Sequence, residues 1–183
     1  MKTFRTIAGI LLLAALATGV ITLMKKSQTT QEEGFIGKSE IVVKNGHMTP
    51  EVLLAFGRLS DPQVSPDGKH ILYGVSYTSV EENRSVRNLY ICNIDGSDNQ
   101  MVTKSGKSIA NARWSNDGKH IAYIKGGQIW TAGISNEGGS WKLDDVRKVS
   151  DVSAGIGEFK ISPDEKKVMY ISYVKSDVKS PTD

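Results

Sequence analysis

The chain has 183 residues, of which 39% are hydrophobic and 23% charged, a composition that suits one or two folded domains and excludes a disordered polymer or a polytopic membrane protein. The formal charge is +3, but Lys2, Arg5, Lys25 and Lys26 lie in an opening stretch without acid, and the remainder is slightly acidic. The basic balance therefore reports targeting, and no nucleic-acid partner is expected. Cys92 is the single cysteine, which excludes an intrachain disulfide. With only three scattered histidines besides, neither a metal site nor a cofactor is expected.

Residues 1–26 read as a signal peptide or a membrane anchor. Lys2 and Arg5 precede an uncharged run, residues 6–24, which as a helix would reach about 28 Å, close to the thickness of a bilayer core. The small residues at Ala15 and Ala17 also suit signal cleavage after Ala17, while Val20 to Met24 extend the apolar run beyond that point. Both readings export the rest of the chain to the periplasm, the second leaving it held at the inner membrane by residues 6–24. Residues 27–47 follow as a linker, whose polar part from Ser27 to Gly34 lacks periodicity and is expected to be disordered. A short helix is expected within residues 48–59, because Thr49, Pro50 and Glu51 supply a hydroxyl cap, a proline at the first position and a carboxylate at the positive end.

A repeat organises residues 60–183. Val64-Ser65-Pro66-Asp67-Gly68-Lys69-His70-Ile71-Leu72-Tyr73 aligns with Trp114-Ser115-Asn116-Asp117-Gly118-Lys119-His120-Ile121-Ala122-Tyr123, and both with Ile161-Ser162-Pro163-Asp164-Glu165-Lys166-Lys167-Val168-Met169-Tyr170. The spacings are 50 and 47 residues. Each copy has an apolar residue, a Ser-(Pro/Asn)-Asp turn and a β-rich run, the pattern of a hairpin in which glycine accepts the positive φ that closes the turn. Glu165 replaces that glycine in the third copy, which predicts a looser turn or one of another type.

Third strands are expected over residues 88–94 and 128–134, and fourth strands over residues 101–103 and 146–150. Four short strands per unit at this period describe β-propeller blades, with apolar runs nearly continuous because both faces of each sheet are covered. The expected fold is all-β: a partial β-propeller of two full four-stranded blades and part of a third, preceded by the N-terminal signal or anchor helix. The blades fall at about residues 60–105, 106–152 and 153–183. A β-sandwich is the competing architecture, but it does not predict a repeat at this period. Propellers typically close a ring of about four to eight blades, so the chain is expected to be the N-terminal part of a longer protein, with copies completing a ring as the alternative.

Two strings carry a family resemblance: Met48-Thr49-Pro50-Glu51-Val52-Leu53-Leu54 and Arg58-Leu59-Ser60-Asp61-Pro62-Gln63-Val64-Ser65-Pro66-Asp67-Gly68. They resemble the start of the propeller in the prolyl oligopeptidase (S9) family of serine peptidases, in its bacterial dipeptidyl-peptidase and acylaminoacyl-peptidase branch, over about residues 47–183. The repeat alone is also similar to TolB-like exported propellers. The peptidase resemblance implies a propeller that limits entry to short peptides, over a C-terminal α/β-hydrolase domain that supplies Ser, Asp and His.

No catalytic, metal, cofactor or substrate-binding residue is assigned within this chain. No serine has glycine two residues away on both sides, as a nucleophile elbow requires; Gly106-Lys107-Ser108-Ile109-Ala110 is a half match. His70 and His120 are repeat-equivalent and read as blade residues rather than general bases, and His47 lies in the leading segment without a visible partner. Glu81 and Glu82 form an acidic pair in a polar loop. The resemblance links propeller carboxylates to substrate amines, but no flanking motif matches, and a solvated loop is expected. Cys92, Trp114 and Trp130 read as strand residues, and Tyr73, Tyr123 and Tyr170 as core.

Two functions follow, from different classes. In the first, this is the propeller of an exported serine peptidase that removes dipeptides or acylated residues from short peptides, with catalysis in the C-terminal domain. In the second, it is a non-catalytic TolB-like propeller that binds cell-envelope proteins through its loops. A nucleophile elbow after the last blade separates them.

Overall fold

The computed structural model describes residues 33–43 and 45–173, all within one compact unit. The helix expected over residues 1–26, the start of the linker and residues 174–183 lie outside the described residues. Among the described residues no helix is long and apolar enough to cross a membrane.

Helix α1, Pro50–Ala55, begins where Thr49 accepts the Val52 amide through its hydroxyl at 3.3 Å, and Val52 faces inward, buried. Among the described residues ten strands follow in three antiparallel sheets. The first sheet runs β1 (Arg58–Val64), β2 (His70–Ser79), β3 (Arg84–Asn93) and β4 (Gln100–Met101), in that order across the sheet. The second repeats it with β5 (Ile109–Trp114), β6 (His120–Lys125), β7 (Gln128–Glu137) and β8 (Ser140–Lys148). The third is the hairpin β9 (Glu158–Ile161) and β10 (Val168–Ile171). Sequential neighbours pair throughout, so each sheet is a meander, an arrangement that fits successive propeller blades. Strands β3, β7 and β8 are longer than the apolar runs alone suggested, β3 starting at Arg84 and β8 at Ser140, because their outer ends pair through polar residues, whereas β4 is only two residues long.

The second sheet explains the continuous apolar runs. Ile121 and Tyr123 point to the first sheet, joining Leu72, Leu89 and Ile91 in one core. Ala122 and Ile124, alternating with them, point the other way and pack with Ile156 and Phe159 of the third unit. A strand buried on both faces has no position left for a polar residue.

The three turns share one hydrogen-bond network. Ser65 Oγ donates to Asp67 at 2.5 Å and accepts the His70 amide at 3.0 Å, while the Asp67 carboxylate accepts the Lys69 amide at 3.1 Å. Ser115 and Asp117 repeat the pattern around Lys119 and His120, and Ser162 and Asp164 around Lys166 and Lys167. The looser third turn expected from Glu165 does not occur. Glu165 adopts φ 56°, where Gly68 has 71° and Gly118 has 68°, and its amide closes on the Ser162 carbonyl at 2.8 Å. A non-glycine residue in this conformation costs roughly 1–2 kcal/mol. An offset is visible: the Glu165 carboxylate accepts the Asn116 amide of the neighbouring sheet's turn at 2.6 Å.

A second repeated device fixes where each sheet hands over to the next. Asn88, buried in β3, accepts the Thr103 hydroxyl at 3.0 Å and the Ser105 amide at 2.7 Å, and donates to the Ser105 carbonyl at 3.1 Å. Gln128, in the corresponding place on β7, accepts from the Ser150 hydroxyl and the Val152 amide and donates to the Val152 carbonyl. Between sheets, Arg113 meets the Asp61 carboxylate at 2.9 Å, and Asn111 donates to the Phe159 carbonyl at 3.0 Å. Asp61 and Asn111 both sit at bulges with positive φ, where the strand turns its side chains toward the neighbour.

Ile91 is 0% exposed at the centre of the larger core, so Ile91→Ala is expected to cost about 2–5 kcal/mol, read as a lowered urea midpoint at unchanged slope. The turn aspartates make a second prediction. The Ser hydroxyls, and then the Lys69, Lys119 and Lys166 amides, hold the Asp67, Asp117 and Asp164 carboxyls below their ordinary range. Their stabilisation is therefore present above the unfolded carboxylate value and is lost as pH falls from about 5 through the lowered native values. Asp117→Asn should weaken that acid dependence; identical stability–pH slopes for the two proteins below pH 5 would show that the turn carboxylates do not contribute.

Candidate functional site

The residues weighed as nucleophiles and bases are placed apart from one another. His70 Nδ1 lies 3.8 Å from Asp67, with its ring edge-on to Trp141 at 4.8 Å, and His120 Nδ1 lies 3.5 Å from Asp117. Both pairs belong to the turn network, and the third copy substitutes Lys167 at the same position, as a structural role allows. His47 is on the exposed segment before α1. Cys92 is a buried free thiol that burial, aided by Asp95, pushes above its ordinary value, so it stays protonated and packs as a small apolar residue. Trp114 and Trp130 donate their indole N–H groups to the Gln63 and Lys125 carbonyls.

The tyrosines divide. Tyr73 and Tyr123 are buried as expected, and burial raises the Tyr73 phenol, which Asn99 contacts at 2.5 Å. Its cross-strand neighbour Tyr90 is pushed up to about 12, mainly by burial. Tyr170 departs from expectation: it is 49% exposed, because no described sheet lies beyond β10 to cover it.

Glu81 and Glu82 are exposed in the β2–β3 turn. They stand on the rim of a cavity of about 400 Å³, with Phe35, Ile41, Glu51 and Leu54 among its other walls. Arg84 builds the junction beside it. Its Nε donates to Glu82 at 2.7 Å, Nη2 to the Gly34 carbonyl at 2.6 Å and Nη1 to the Gly106 carbonyl at 3.3 Å. Gly106 is required for this approach, since a β-carbon there would fall on the Glu33 carbonyl. Gly34, expected in a disordered linker, is thus bound to the first sheet through Arg84, and Ile36 is buried.

The cavity lining mixes apolar side chains with Glu51, Glu81 and Glu82, of which Glu82 is already paired with Arg84. It supplies no nucleophile and base in hydrogen-bonding reach. The sequence shows the acidic pair, but its cavity depends on residues 35–55, which are remote in sequence and carry no motif for it.

The chain was compared with known proteins. No family model matches it. It is 35% identical over 136 residues to dipeptidyl-peptidase 5 of Porphyromonas gingivalis, and 33% identical over 130 residues to dipeptidyl-peptidase 5 of Porphyromonas endodontalis. Each match covers 70% of this chain and 18% of the relative, so the chain spans less than a fifth of the length of the curated relatives it matches. Among solved structures, the acylaminoacyl peptidase of Pyrococcus horikoshii superposes with a TM-score of 0.54 at 19% identity, over 69% of this chain and 19% of that one, a likeness of fold. Turn repeat, paired meanders and these homologies agree: over about 70% of its length the chain belongs to the prolyl oligopeptidase (S9) family, alongside the dipeptidyl-peptidase 5 proteins.

Proposed function

We propose that the chain is the propeller portion of an exported serine peptidase that releases dipeptides or acylated residues from short peptides. In this reading a C-terminal α/β-hydrolase domain supplies the nucleophile, base and orienting acid. The meanders described above are the first blades of a ring that admits short peptides to that domain. Residues 6–24 direct export to the periplasm, as a cleaved signal or as an anchor in the inner membrane.

The observation that carries this reading is the 35% identity to dipeptidyl-peptidase 5. The blade repeat alone serves a TolB-like binding module equally well. The missing nucleophile elbow fits the reading too, because a propeller confines and admits substrate while the chemistry lies elsewhere.

The first measurement is the size of the native product in the source cells, detected with an antibody against residues 60–180 and a fluorophosphonate serine probe. The expected result is a band several times larger than 19.9 kDa that reacts with the probe. A probe-silent band at or below 19.9 kDa would overturn the peptidase reading. The purified 183-residue chain is expected to leave dipeptidyl p-nitroanilides intact; turnover that survives removal of contaminating peptidases would place catalysis within this chain.

A further inference from the structure

Four steps in the chain join an acidic or amide side chain to a following glycine: Asn45-Gly46, Asp67-Gly68, Asp95-Gly96 and Asp117-Gly118. At such a step the side-chain carbonyl carbon and the next backbone nitrogen can close a succinimide ring, because glycine has no β-carbon to shield its nitrogen. The fold locks three of the four. The Gly68, Gly96 and Gly118 amides donate to the Ser65, Asn93 and Ser115 carbonyls at 2.9, 2.9 and 3.0 Å. The Asp67, Asp95 and Asp117 carboxylates accept the Lys69, Ser97 and Lys119 amides at 3.1, 2.9 and 2.8 Å. Nucleophile and electrophile are thus both tied down at every Asp-Gly step.

Asn45-Gly46 is built differently. Both residues have positive φ, 57° and 68°, and both are exposed at the turn before the Thr49 cap of α1. Among the described residues neither the Asn45 side chain nor the Gly46 amide makes a hydrogen bond. Nothing lies within 4 Å of the place a β-carbon on Gly46 would occupy, so no neighbour screens the nitrogen. Opening this turn breaks no such bond, and the rotation that carries the Gly46 nitrogen to Asn45 Cγ needs only local motion.

We propose that Asn45 is a site of spontaneous deamidation in the folded protein. The Gly46 nitrogen attacks Asn45 Cγ, a C–N bond forms, and the Nδ2 group departs with a proton as ammonia, leaving the succinimide. Water then opens either carbonyl C–N bond of the ring, with no change of oxidation state. One opening gives aspartate, and the other gives isoaspartate, whose backbone runs through the former side chain. Each product places a new carboxylate two residues before His47, and isoaspartate also lengthens the main chain by a carbon. The turn links Ile41 to Glu51 and Leu54, all of which line the 400 Å³ cavity, so the conversion acts on the connection between those walls. The proposal stands independently of the peptidase reading, since it concerns only the chemistry of this turn.

The test is a peptide map of the full chain, aged in mildly alkaline buffer made with oxygen-labelled water, native in mild detergent and in parallel in urea. Trypsin cleavage after Lys44 and Arg58 releases the peptide 45–58, in which exchange of the amide NH2 for a labelled oxygen is read by mass. In the native chain Asn45 is expected to convert about tenfold faster than the exposed Asn83 and Asn136, which precede Arg84 and Glu137. The Asp-Gly steps are expected to form isoaspartate in urea and to resist it in the native chain. Gly46→Ala, whose methyl group meets open space, should slow Asn45 about tenfold in both states, with circular dichroism showing the variant folded. Native conversion of Asn45 no faster than that of Asn83, conversion confined to urea, a rate unchanged by Gly46→Ala, or Asp-Gly steps as reactive native as in urea would overturn the proposal. None of these results touches the fluorophosphonate outcome, so the two readings fail separately.

Discussion

Each sheet of this protein needs a neighbour on either side, and that requirement governs the rest of the structure. The second sheet satisfies it: Ile121 and Tyr123 are buried against the first sheet, and Ala122 and Ile124 against the third unit. The two-sided apolar strand, the interdigitated cores and the polar bridges at the sheet margins all follow from stacking. At about 25 cal/mol per Å² of apolar surface, covering such faces is the main favourable contribution available to a molecule of short strands with one six-residue helix described. The third unit shows the converse, with its last strand apolar and exposed because its neighbour is missing among the described residues.

How much was legible in sequence depends on how local the cause is. The Ser-x-Asp turns were readable because their hydrogen bonds close within five residues, and the alternate burial of β6 followed from its unbroken apolar run. Glu165 was misread because glycine is only the easiest residue at positive φ. The contact that accompanies the alternative comes from Asn116, far off in sequence and adjacent only after the sheets stack. Tyr170 was assigned to the core from its equivalence with Tyr73 and Tyr123, yet burial belongs to the pair of sheets and not to the residue. The Glu81–Glu82 cavity was invisible for the same reason, since its walls come from the strap before α1 and from α1 itself.

Family and chemistry separate in this chain. The family likeness covers about 70% of the chain, and the described sheets are built from residues that answer to packing; no serine of the sequence has the flanking glycines of a nucleophile elbow. What the described sheets supply is geometry, and the Arg84 junction illustrates it. One guanidinium ties the leading strap, the hairpin turn and the start of the second sheet at three acceptors, so the point at which the strap meets the first sheet is fixed.

The paired amides Asn88 and Gln128 have a consequence for how such a protein can change. β4 has two residues and β8 nine, yet after each the chain is gathered by the same three hydrogen bonds at the foot of the third strand. The outer margin is thereby uncoupled from the inner one. Insertions, deletions or a new binding loop on the rim can accumulate without altering where the following sheet begins, so the rim is free to diversify while the stack keeps its pitch.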